Sequence, residues 1–349
     1  MKKFLKKATL FVACVAAINL IINICTFYPV QDDRYEVRYD YLKDNLNNYN
    51  TLFFGTSRTI RHIVPSVFDS INKANGITTK GFNLGTPANK LFETYYQYDA
   101  FLRDYSKMKE RPVKYVFLEL NPMDVLEFQN ISSRKASYWF DANYAGHLVS
   151  YLKDGAAVKR GYFNYFYAFL IHYFGFNYLD NPLQETSKDA NVWLGENHDG
   201  YVDYDDEIKL VTDLKQKKKL QEFRARFEED TTKLIKARIN AEKEYAETSA
   251  AKYNAEHLKM MKDIIEKSKQ YGIEVKFIIQ PRLASYREIH AIKKQLPGYI
   301  IDVADPNKHK ELWEVKNAFD KSHMNKKGST IFTALLSRDF LEMENHKAK

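Results

Sequence analysis

The chain has 349 residues, of which 45% are hydrophobic and 15% aromatic, enough to bury a sizeable core and too apolar for a disordered or collagen-like protein. Its formal charge of +8 includes Lys2, Lys3, Lys6 and Lys7, which precede the first hydrophobic run and leave about +4 for the remainder, so no nucleic-acid partner is expected. Both cysteines, Cys14 and Cys25, fall in that run, which excludes disulfides and cysteine chemistry from the rest of the chain.

Residues 1–7 form a basic end. From Ala8 to Tyr28 there are 21 residues without a charge, long enough as a helix to cross the ~30 Å hydrocarbon core of a bilayer. Lysines ahead of this run and Asp32 and Asp33 behind it predict a cytoplasmic N-terminus and an exported remainder, periplasmic or at the cell surface. A cleaved signal peptide is the rival reading, but Cys25-Thr-Phe-Tyr-Pro29 is a poor cleavage site, which favours an uncleaved anchor over residues 8–28. Residues 29–48, polar and rich in Tyr and Asp, read as a juxtamembrane linker, and 49–349 as the exported domain.

Short apolar runs at Thr51 to Phe54, Gly81 to Leu84, Tyr115 to Leu120, Val275 to Ile279 and Tyr299 to Val303 predict five strands. Helical spacing marks Val67 to Lys73, Lys90 to Met108, Ala255 to Gln270, Tyr286 to Gln295 and Lys326 to Phe340. Such alternation argues for an α/β fold with a parallel sheet covered on both faces. Ligand sites in these sheets lie beyond the carboxyl ends of the strands, where Ser57, Gly85 and Asn121 fall.

A helical insertion at about 125–250 separates the third and fourth strands. Its first half carries ten aromatic rings between Gly161 and Tyr178, which suits a packed helix, a sugar-stacking wall or a surface lying on the bilayer. Its second half, Asp205 to Glu247, alternates charges with Leu214, Leu220, Phe223, Phe227, Leu234 and Ile239, as in an amphipathic helix or helical hairpin.

Serine becomes a nucleophile when an imidazole takes its proton, and a carboxylate fixes the imidazole's tautomer. Asp320-Lys-Ser-His323 delivers both groups in one loop ahead of the terminal helix, and Ser57 ends the first strand. Taken singly, Ser57 reads as an ordinary polar turn and Asp320 or Ser322 as a helix cap. The developing oxyanion needs donors, which the Ser57 and Gly85 backbone N–H groups and the Asn121 side chain would supply. Arg282, at the end of the fourth strand, suits an anionic part of a substrate or an ordinary surface position. His198 reads as a loop residue. The nine histidines show no paired ligand spacing, and neither a P-loop nor a dinucleotide fingerprint occurs, so no metal and no cofactor is expected.

Gly55-Thr-Ser57 with Arg58 after it, Gly85 after the second strand, Asn121 after the third and Asp320-x-x-His323 before the last helix resemble the four blocks of the SGNH, or GDSL-like, hydrolase superfamily. The resemblance covers roughly Tyr49 to Phe340 apart from the charged insertion. It implies a flavodoxin-like three-layer α/β/α fold with Ser57 as nucleophile, His323 as base, Asp320 as its orienter and Gly85 with Asn121 as oxyanion donors. Arg58 and Arg282 would then bind substrate. Thr56 stands where the family has Asp, and Glu119-Leu-Asn-Pro122 lacks the glycine of the third block, so Asp124 or Asn83 are neighbouring alternatives to Asn121. Membrane-anchored branches resembling alginate O-acetylation and teichoic acid D-alanyl-transfer proteins imply an esterase or O-acyltransferase. Its partners would be an acylated polysaccharide or envelope polymer and a membrane acyl-transfer protein. The other expectation is a non-catalytic scaffold that uses the same fold to bind polymer.

Overall fold

The computed structural model describes residues 2–26, 33–122, 125–126, 139–153, 157–158, 166, 169, 190–247, 252–281 and 285–347. Backbone contacts divide the chain into two units: Met1–Asp33 with Val125–Thr186, and Arg34–Asp124 with Ser187–Lys349. In the first unit an N-terminal helix spans Lys2–Thr26, Val125–Leu126 pairs in parallel with Ala157–Val158, and a helix spans Ala142–Lys153. Among the described residues no helix is long and apolar enough to cross a membrane. Side chains of the N-terminal helix are described only as far as Ile18, so the expected span over residues 8–28 extends beyond them. The aromatic run 161–178 lies outside the described residues apart from Phe166 and Phe169.

The second unit holds a five-stranded parallel sheet: β1 (Thr51–Phe54), β2 (Gly81–Asn83), β3 (Tyr115–Glu119), β4 (Glu274–Ile279) and β5 (Ile300–Asp302), in the order β2-β1-β3-β4-β5. Its helices are α1 (Asp33–Asp44), α2 (Ser57–His62), α3 (Pro65–Ala74), α4 (Leu91–Tyr105), α5 (Tyr204–Leu210), α6 (Leu214–Glu229), α7 (Thr232–Ala246), α8 (Ala255–Lys269), α9 (Arg287–Lys293) and α10 (Lys326–Lys347).

Successive strand residues face opposite sides of a sheet, so an apolar strand serves two cores. Phe53 and Phe117 stack across β1 and β3 at 5.1 Å, and Phe68 of α3 and Phe340 of α10 close over them at 5.2–5.4 Å. On the other face Phe54 meets Tyr98 of α4 at 5.4 Å, and Tyr95 meets Phe277 of β4. Three layers result. The strand order reverses direction at β1 and β3, which opens a crevice above their carboxyl ends, between the residues that follow Phe54 and Glu119.

Two expectations change. The polar stretch before β1 is the helix α1 packed on the sheet unit, with Tyr35, Arg38 and Leu42 buried and Arg38 Nη1 donating to the Asn83 carbonyl at 3.2 Å. These three side chains recur every three or four residues and lie on one helical face, which average polarity conceals. The charged half of the insertion forms three helices, α5 to α7, rather than one helix or a hairpin; Asp203 and Asp213 cap α5 and α6 by accepting from backbone N–H groups.

Candidate active site

Ser57 is the first residue of α2, directly beyond β1, and Thr56 caps the helix by accepting from the Arg58 N–H at 3.2 Å. The sharp strand-to-helix turn depends on Gly55. A Cβ there would stand 1.9 Å from Thr59 Oγ1 and 2.7 Å from Glu119 Oε2.

The second half of the site is the loop between β5 and α10. Ala318 and Met324 form an antiparallel bridge, and the Phe319 N–H donates to the His323 carbonyl at 2.9 Å. Asp320 Oδ1 accepts from the backbone N–H groups of Ser322 at 2.6 Å and His323 at 2.9 Å, so the carboxylate folds its own loop. The same carboxylate lies 2.9 and 3.0 Å from His323 Nδ1, which therefore carries the proton. His323 Nε2 is left as an acceptor and sits 2.9 Å from Ser57 Oγ. The three predicted residues thus meet in hydrogen-bond range. Each of the Asp320 and His323 side chains is 14% exposed, so a substrate can reach them. Burial pushes the Asp320 carboxyl up, but the electrostatic pull of the His323 ring and the hydrogen bonds from His323 and the Ser322 N–H outweigh it and hold it below its ordinary range.

Beneath this pair runs a buried network that only the folded chain assembles. The Met324 N–H donates to His62 Nε2 at 3.1 Å, so His62 donates from Nδ1 to Gln280 Oε1 at 3.0 Å. Gln280 Nε2 donates to Thr59 Oγ1 at 3.0 Å, and Thr59 donates to Glu119 Oε2 at 2.9 Å. Glu119 also accepts from the Thr56 N–H at 2.7 Å and from Arg58 Nε at 3.0 Å. Burial opposes this charge, but Arg58 and the Thr56 donors prevail and lower the Glu119 carboxyl to about 2. Burial, then the electrostatic influence of the neighbouring His323 and Arg58 side chains, depresses His62 well below its ordinary value, so it is neutral.

Glu119 thus takes the place beneath the Gly55–Ser57 turn, and sequence reasoning missed its role. The signal was present: a carboxylate inside the apolar run Phe117-Leu-Glu-Leu120 must find partners once buried. His62 and Gln280 carried no such mark.

The other expected site residues are placed differently. The Gly85 N–H donates to Asn83 Oδ1 at 2.9 Å rather than facing an oxyanion, and a Cβ on Gly85 would stand 2.3 Å from the Ile60 nitrogen. Gly85 is therefore a close-approach residue between β2 and α2. Asn83 itself points into α2, donating to the Thr59 and Ile63 carbonyls, which removes it as an alternative donor. Asn121 accepts from Arg58 Nη2 at 2.8 Å and donates to Glu119 at 3.2 Å. Arg58 is bound to Glu119 and Asn121, so the expectation that it binds substrate gives way to an internal ion pair. Arg282 and Asp124 lie outside the described residues. His198 is a turn residue with φ of 52°, whose carbonyl accepts from Tyr49.

Tyr204, at the start of α5, meets the His323 ring edge-on at 5.1 Å. Behind the loop lies a small, mostly apolar cleft of about 20 Å³, lined by Leu234, Pro281, Leu312 and Trp313 as well as His62 and His323. Among the described residues no cluster of His, Cys, Asp and Glu is arranged to hold a metal ion. Compared with protein-family models, curated proteins and solved structures, the chain matches none.

Proposed function

We propose that this chain is a membrane-tethered, extracytoplasmic serine esterase or O-acyltransferase of SGNH-like type, acting on an acylated cell-envelope glycan or polymer. The observation that carries the reading is the 2.9 Å contact between Ser57 Oγ and His323 Nε2, with the opposite ring nitrogen of His323 held by Asp320. Ser57 attacks the ester carbonyl as Nε2 takes its proton, and the imidazolium returns that proton to the departing alcohol oxygen. The acyl-serine then passes to water or to a sugar hydroxyl, deprotonated by the same nitrogen. Asp320 supports the imidazolium charge throughout. With the Gly85 N–H occupied, the oxyanion donors are the Ser57 N–H and the second amide proton of Asn121.

The N-terminal helix supports the tether. It carries Lys2, Lys3, Lys6 and Lys7 at one end, while Leu10, Phe11, Val12 and Ile18 are each more than half exposed, and apolar side chains so displayed call for lipid or protein cover. In the transfer mode an acyl donor would arrive through a membrane partner.

Labelling of the full chain by a fluorophosphonate tests the reading. Label on the wild type that disappears in Ser57→Ala is the expected result; no label on the wild type would sink it. The occupied Gly85 N–H and the internally paired Asn121 favour one second reading, a polymer-binding scaffold without turnover. In that case Ser57→Ala leaves polymer binding and the cellular phenotype unchanged.

A further inference from the structure

We infer that the segment 193–229 is an arm that clamps the Asp320–His323 loop onto the nucleophile helix, with Tyr204 and Arg224 as its positioning residues; the catalytic consequence rests on the hydrolase reading above. The arm's inner end is fixed to α2. Trp193 and Val202 are buried with Ile60. Arg61, only 2% exposed, donates to the carbonyls of Val202 at 2.6 Å and Asp203 at 3.1 Å, pairs with Glu207, and lies over the Tyr204 ring at 4.2 Å. Four residues before Arg61 in the same short helix is Ser57, so whatever Arg61 holds moves with the nucleophile.

The arm's outer end grips the other half of the site. Arg224 of α6 donates to the Ala318 carbonyl at 2.8 Å and the Phe319 carbonyl at 2.9 Å, the two residues before Asp320. Its guanidinium also lies 5.6 Å from the Phe319 ring centroid. Phe319 in turn stacks on Tyr204 at 4.6 Å, and Tyr204 walls one side of His323. A circuit closes: Ser57 and Arg61 on α2, then Tyr204, then Phe319 and His323, then Arg224 back into the arm. Arg224 also pairs with Glu228 one turn on, but an exposed pair of this kind is worth little, whereas the two charge-assisted bonds to carbonyls fix the loop's position.

The physical consequence is control of the gap between Ser57 Oγ and His323 Nε2. These atoms belong to segments 266 residues apart, and proton transfer tolerates little displacement: a 1 Å error costs about 100-fold. A lysine at 224 retains charge but not the fork that spans two carbonyls.

The test uses the full chain in detergent, with saturation kinetics of fluorophosphonate labelling at Ser57 and hydrogen exchange over 317–325. Arg224→Met is expected to slow the limiting labelling rate by roughly 10- to 100-fold, with half-saturation within about 2-fold of wild type, and to raise exchange over 317–325 but not in β1 or β3. Arg224→Lys should recover part of the rate. Tyr204→Leu should label about 10-fold more slowly, and Tyr204→Phe, which keeps a ring against Phe319 and His323, should recover most of that loss. Raised exchange with an unchanged rate overturns the positioning role, and unchanged exchange overturns the clamp itself. If the wild type takes no label, the hydrolase reading fails, and exchange alone decides: a rise over 317–325 in Arg224→Met upholds the clamp, and no rise overturns it.

Discussion

Met324, the residue after the candidate base, donates its backbone N–H to Nε2 of His62, the last residue of the helix that Ser57 begins. The Ser57 helix and the histidine loop are thereby joined through a buried ring that must be neutral to accept this bond. Replacing His62 by Leu leaves the Met324 N–H and Gln280 Oε1 without partners, each at a cost of about 1–3 kcal/mol. His62→Leu should therefore unfold at lower temperature and label more slowly, whereas His62→Gln, which offers both an acceptor and a donor, should recover much of the loss. Thermal unfolding and labelling rates measured on both variants check this.

Glu119 holds the turn beneath Ser57 in its ionised form. Its folded pKa of about 2 lies below its ordinary 4.5, so its contribution is fully present above 4.5 and is lost as the pH falls towards 2. That contribution is about 3 kcal/mol at neutral pH. His62 acts in the same direction, because a ring held neutral in the fold is protonated first in the unfolded chain as acid is added. Denaturation curves between pH 7 and pH 3 should show stability falling with acid, and Glu119→Gln should flatten the part of that fall below pH 4.5. Glu119→Ala, which strands Arg58, should cost about 3–5 kcal/mol at pH 7.

Asp199 lies in the opposite situation. Burial raises its carboxyl to about 6 against the lowering effect of the Tyr201 N–H, so ionising it at neutral pH costs stability. Its folded pKa stands above the ordinary 3.8, and the cost therefore develops as the pH rises from about 4 to above 6. Asp199→Asn is expected to stabilise the protein by about 1–3 kcal/mol at pH 8 and by almost nothing at pH 4. Melting temperatures at the two pH values decide the matter.

At Gly85 the backbone needs no special conformation, so the cost of a side chain is steric alone. A Cβ placed 2.3 Å from the Ile60 nitrogen and 2.8 Å from Thr59 Cβ must push β2 away from α2. Gly85→Ala should destabilise by about 1–3 kcal/mol and slow labelling at Ser57, since α2 carries that serine.

Local pattern along the chain was enough to set out the layers and where the candidate site stands in them. Apolar runs of four to six residues, too short for helices and bounded by turn residues, read as strands buried on both faces, and helical spacing between them argues for parallel crossovers, so the places beyond β1, β3 and β5 followed from local pattern. The spacing of Asp320 and His323 likewise let one short loop bring a carboxylate to an imidazole, a contact three residues apart that needs little else of the fold. What lay beyond local pattern was decided by tertiary structure. Only packing puts Nε2 of His323 beside a hydroxyl 266 positions away, gives Glu119 its place under Thr56 and Arg58, and turns the Gly85 N–H towards Asn83. A buried polar group takes whichever partner the assembled layers bring within about 3 Å, and that choice depends on distances between segments that sequence periodicity does not encode.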